Sequence, residues 1–93
     1  MIRAIKTKND LRTLLTEVIS CLGWAFHPDD PMTGYVYRDT GEPSYTPEEA
    51  QRLDYLMDEA FYFCEQHGVD IYELSMKICK ELHGDIFDEQ KVA

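Results

Sequence analysis

The chain has 93 residues, 44% hydrophobic and 29% charged, with a formal net charge of −9. That length holds one domain with one modest core, and the composition is globular rather than disordered. No apolar run reaches the length of a membrane span, and the stretch Met1–Lys6 lacks the long apolar segment of a signal peptide, so a cytoplasmic location with no membrane contact is expected.

The charge is unevenly spread. Residues 1–12 hold Arg3, Lys6, Lys8 and Arg12 against Asp10, a net +3, whereas residues 26–73 hold twelve acids against Arg38 and Arg52, a net −10. Such a body repels nucleic acid and anionic membrane and attracts a basic partner. Acidity also serves plain solubility.

In chain order, the first element is a helix over 8–22. Leu11, Leu14, Leu15, Val18, Ile19 and Leu22 recur as one stripe of a 3.6-residue period. Thr7 with Asp10 forms a capping box, or Asn9 caps directly, and Gly23 ends the helix in a left-handed conformation.

Residues 24–45 follow without a helical period. They hold Trp24, Phe26, Tyr35, Val36, Tyr37 and Tyr45, too much apolar area for a free linker. Tyr35–Arg38, a turn at Asp39-Thr40-Gly41-Glu42 and a return through Pro43–Tyr45 predict an aromatic-rich loop or a short β-hairpin, with Pro43 confined to an edge.

The second helix, over 47–67, has the best start signal: Thr46 as N-cap, Pro47 at the first position and Glu49 at the third. Ala50, Leu53, Leu56, Met57, Ala60, Phe61 and Cys64 form its expected apolar face, and Gly68 closes it. The third, over 70–83, opens on Asp70 with Glu73 and carries the stripe Ile71, Leu74, Ile78 and Leu82 before Gly84. The short link between the last two predicts an antiparallel helical hairpin with helix one across it. In the tail 85–93, Ile86 and Phe87 are expected to add to the core. The fold class is therefore a mainly α, three-helix domain.

Motifs that would carry chemistry are sparse. Asp39-Thr40-Gly41 matches the triplet of an aspartic-protease carboxylate, but those proteases need a largely β scaffold with two such aspartates, and a turn explains the residues better. Cys64-x2-His67 with Cys79-x3-His83 offers a zinc donor set. In a helical hairpin folded at Gly68, Cys64 and Cys79 are offset by roughly 7 to 8 Å along the axes, too far for ligands at about 2.0 to 2.3 Å from one ion. Cys21, Cys64 and Cys79 are an odd set inside helical patterns, expected as small core thiols with no disulfide. No metal, cofactor or catalytic residue is assigned. The turn His27-Pro28-Asp29-Asp30 joins an imidazole to two carboxylates, which makes His27, Asp29 and Asp30, with the aromatic Tyr35 and Tyr37, a candidate functional loop.

Aromatic placement points to binding. Tyr55 and Tyr62 lie opposite the apolar face of helix two, and Tyr72 and Met76, with Cys79 and His83, flank the stripe of helix three. Apolar surface rimmed by charge suits an interface, while cover by the 24–45 loop would explain it equally. Tyr55, Tyr62, Tyr72 and Met76 are thus expected interface residues of a small acidic, non-catalytic interaction or regulatory module. Its partner is a protein, basic in character, or a second copy in a homodimer. The alternatives are an acidic nucleic-acid mimic that blocks a basic partner, or a metal-binding protein or enzyme using His27, Asp29 and Asp30.

Overall fold

The computed structural model describes residues 4–37 and 39–84. Among them the chain forms α1 (Lys8–Leu22), α2 (Pro47–His67) and α3 (Ile71–His83), with short 3-10 turns at Gly23–Ala25 and Met32–Gly34. The protein is mainly helical, and each helix starts where its cap predicts. Thr7 Oγ1 accepts from the Asp10 N–H while the Asp10 carboxylate accepts from the Thr7 N–H, both at 3.1 Å, a complete capping box. Thr46 Oγ1 accepts from the Glu49 N–H at 3.2 Å, and the Asp70 carboxylate accepts from the Tyr72 and Glu73 N–H groups. Each cap satisfies backbone donors that the first turn leaves without partners.

Gly68 ends α2 in the left-handed region, at φ 66° and ψ 31°. Gly23 departs from expectation: φ is positive at 59°, but ψ is −139°, outside the left-handed helical well. This conformation, open to glycine and strained for other residues, turns the chain into the 3-10 turn that carries Trp24.

The core comprises Leu11, Leu14, Leu15, Val18 and Ile19 from α1, Ala50, Leu53, Leu56, Met57, Ala60, Phe63 and Cys64 from α2, and Ile71, Ile78 and Cys79 from α3. Three expectations need correction. On α2 it is Phe63 that is buried, while Phe61 is only half-buried and meets Tyr72 edge-on at 6.2 Å. On α3 the buried face runs through Ile71, Ser75, Ile78 and Cys79, so Leu74 is half-buried and Leu82 is 43% exposed. The helix is rotated because its closest neighbour is α1 and not α2; an Arg12–Glu81 ion pair also joins α1 to α3. The expected hairpin of α2 on α3 is correspondingly the looser pairing. Finally, Cys21 is exposed, unlike Cys64 and Cys79, and all three thiols are free.

The 24–45 segment is neither a floppy linker nor a regular hairpin. Among the described residues its only pairing of strand type is one antiparallel bridge, Val36 with Pro43, closed by Tyr37 N–H to Glu42 C=O at 2.8 Å and Ser44 N–H to Tyr35 C=O at 2.9 Å. Asp39-Thr40-Gly41 is the turn itself: the Gly41 N–H donates to the Tyr37 carbonyl, and Gly41 has φ 73°. What fixes the segment is Met32, fully buried in the 3-10 turn against α2, whose N–H donates to the Asp54 carboxylate at 2.8 Å. Phe26, Tyr35 and Tyr45 pack on the core at its edge, whereas Val36 and Tyr37 stay exposed. Ile86 and Phe87 lie outside the described residues.

Burial gives Tyr45 a testable signature. Enclosure, with Cys21 and Glu49 close by, pushes its hydroxyl pKa up to about 12 from 10.0. A phenol with a raised folded-state pKa stabilises the fold fully below the unfolded value and loses that contribution as pH rises through the folded one. Between pH 10.0 and about 12 the wild type should therefore lose stability that a Tyr45→Phe variant retains, which chemical denaturation across that range would measure.

Candidate functional site

Two surfaces collect the residues that the sequence singled out. The first is the turn His27–Asp30 with the end of α1 and the outer side of α3. The Asp30 N–H donates to the His27 carbonyl at 3.0 Å and closes the turn, while the Asp29 N–H donates to His27 Nδ1 at 3.2 Å. Tyr35 braces it from within the segment, since its hydroxyl accepts from the His27 N–H at 2.8 Å and lies 3.1 Å from the His27 carbonyl and 3.4 Å from Asp30 Oδ2. Burial is the main cause that holds the Tyr35 pKa above its usual value.

Tyr72 reaches the same turn from α3. Its hydroxyl donates to Asp29 Oδ1 at 2.6 Å, and its ring lies 6.0 Å from the His27 ring. This bond to a carboxylate raises the Tyr72 pKa, because ionisation would set two negative oxygens against each other. The polar groups of the turn are thus engaged in shaping it. His27 and Asp29 also approach at 3.8 Å, an exposed pair of small energetic value. Tyr37 stands apart, since its ring is exposed and its backbone belongs to the Val36–Pro43 bridge.

Beside the turn lies an apolar groove of about 140 Å³, walled by Trp24, Phe26, Tyr72 and Met76, with buried Ile19, Ser75 and Cys79 on its inner surface. The Trp24 indole N–H donates to the Gly84 carbonyl at 3.2 Å, and His83 Nε2 lies 2.9 Å from the Ile19 carbonyl, so the ends of α1 and α3 are tied at this edge. Ser75 is only 6% exposed, yet its Oγ has no hydrogen-bond partner. Neither Ser75 nor Trp24 was legible as a site residue: a serine in an apolar helical stripe looks like a tolerated small residue, and a lone tryptophan looks like core.

The second surface is the outer side of α2. Tyr55 and Tyr62 are 64% and 65% exposed and frame a shallow depression with Ile5, Asp58, Glu59 and Phe63. The 24–45 segment rests on α2 through Met32 and on the core through Phe26, Tyr35 and Tyr45. One oxygen of Glu59, Oε2, is shielded from solvent without a hydrogen-bond partner. His67 stacks on Phe63 at 4.1 Å. The four expected interface residues thus fall on two surfaces, Tyr55 and Tyr62 on one, Tyr72 and Met76 on the other.

Among the described residues no three His, Cys, Asp or Glu side chains converge as a metal ion would require. His67 and His83 in particular serve different ends of the fold, one on Phe63 and the other at Ile19. No helix among the described residues is long and apolar enough to cross a membrane. Comparison with known proteins adds no relative: no family model, curated protein or solved structure matches this chain.

Proposed function

We propose that this protein is an acidic interaction module that works by binding rather than by catalysis, and that the outer face of α2 receives a basic segment of a partner protein. The observation that supports this reading most is the pair of strongly exposed tyrosines, Tyr55 and Tyr62, that share one depression with the acidic Asp58 and Glu59. Tyrosine gives contact area at low entropic cost and tolerates partial wetting. The Asp58 and Glu59 side chains at the same depression supply carboxylates for charge-assisted hydrogen bonds to a lysine or arginine of a partner. Homodimerisation is the weaker form of the idea, because a second copy brings the same carboxylates and the same net charge of −9.

The test uses a short arginine-rich peptide with wild type and with the double variant Tyr55→Ala/Tyr62→Ala. Calorimetry should find the variant weakened by more than about fivefold, the effect of losing an interface anchor. Its melting temperature should stay near wild type, since exposed substitutions change stability by only about ±0.5 kcal/mol. Equal binding by both proteins, with a steep decline in salt, would assign the attraction to the carboxylates alone, as in a nucleic-acid mimic, and remove the tyrosines from the reading. Light scattering of the same pair measures any homodimer.

A further inference from the structure

We infer that the outer face of α2 selects arginine over lysine in the basic segment it receives. The inference rests on the reading of that face as a partner site and names the side chain the partner must bring.

The helix sets the geometry. Tyr55 and Tyr62 are one heptad apart, about 10.5 Å along the axis, and both are strongly exposed. Asp58 stands between them, three residues after one and four before the other, and is exposed as well. Glu59 holds the complementary spacing in the same depression. Positions three and four apart are neighbours on a helix surface, about 5 to 6 Å between Cβ atoms, so each tyrosine ring has carboxylates beside it.

These groups are unengaged within the fold. Among the described residues no aromatic ring packs on Tyr55 or Tyr62, whereas Phe63 in the same depression is already stacked on His67 at 4.1 Å. No basic side chain among the described residues forms an ion pair with Asp58 or Glu59, and the lining carries no lysine or arginine. Residues 26–73, which include the face, hold a net charge of −10. Charge therefore gives the sign of the partner, and the rings give its side chain.

An aromatic face beside a carboxylate separates the two cations. A guanidinium is planar and weakly hydrated. Its flat face lies on a tyrosine ring while the N–H groups at its edge reach a carboxylate, so both attractions are made at once. An ammonium is a compact, strongly hydrated point charge with no flat face. On so open a surface it keeps its water and gains little from the rings, which leaves it only screened attraction to the carboxylates.

The probes are an arginine–glycine repeat peptide and its lysine–glycine counterpart, equal in length and charge, titrated calorimetrically into the intact chain. The wild type should bind the arginine peptide about fivefold more tightly. Tyr55→Leu/Tyr62→Leu keeps apolar area but removes the ring faces. It should weaken the arginine peptide to the level of the lysine peptide, whose own affinity should change little. Tyr55→Phe/Tyr62→Phe retains the faces and should keep the preference, and Asp58→Asn should weaken both peptides. The inference is overturned, with the partner face intact, if the wild type binds both peptides equally and the leucine variant weakens both alike. It is overturned too if the leucine variant keeps the preference, because the rings then do not supply it. If neither peptide binds the wild type, the partner face itself falls, and the arginine preference with it.

Discussion

Leu15→Ala is expected to lower the free energy of unfolding by about 2 to 5 kcal/mol, with a fall in melting temperature of at least roughly 8 °C. Leu15 is 0% exposed and belongs to the one core cluster that α1 shares with Leu53 and Leu56 of α2 and Ile78 of α3. Removing three carbons there forfeits transfer energy and leaves a cavity whose walls are anchored by three helices. A domain this small has a total stability of only about 5 to 15 kcal/mol, so the variant should melt near or below working temperature. Leu82→Ala is the informative control. Periodicity puts Leu82 in the core, whereas the fold leaves it exposed at the end of α3. It should cost only about 0.5 kcal/mol when both variants are unfolded in urea, and a loss equal to that of Leu15→Ala would contradict the rotation of α3 described above.

Met32→Ala should be nearly as damaging, again about 2 to 5 kcal/mol, although Met32 sits in an irregular segment between proline and threonine. Its side chain is fully buried against α2, and its backbone N–H donates to Asp54. Asp54→Ala removes that charged acceptor and should cost about 1.5 to 3 kcal/mol. Because the two changes act on one anchor, the double variant should lose clearly less than their sum, the mark of coupled neighbours. Denaturation of the four proteins in the cycle measures this. Additive losses would mean that the backbone bond and the buried thioether hold different parts of the chain.

These two expectations divide what was legible from what was not. The helical segments 8–22, 47–67 and 70–83 could be placed from sequence because their signals are local. A cap needs three or four residues, and an apolar stripe needs only a 3.6-residue period. The exposed pair Tyr55 and Tyr62 was legible for the same reason, as residues one heptad apart on the side of α2 away from its stripe. The 24–45 segment gave its aromatic content and its Asp39–Glu42 turn, but not which side chain would be buried. No period points to Met32, and the bond from its N–H to Asp54 spans 22 residues.

What the sequence by itself determined is the set of three capped amphipathic helices and the acidic character of the body around them. Tertiary structure decided how the helices turn about their own axes and which surfaces they bring together. The stripe of α3 was expected to run through Leu74 and Leu82, but with α1 as its main neighbour the helix buries Ser75 and Cys79 instead. That choice sets Ser75 on the inner surface of a groove whose opposite wall comes from Trp24 and Phe26. It also carries the Tyr72 hydroxyl to Asp29, 43 residues away in the chain. Local propensity acts over a few residues and fixes each helix separately. Only the shared exclusion of water from all three faces fixes their relative rotation, and the two candidate surfaces are consequences of that rotation.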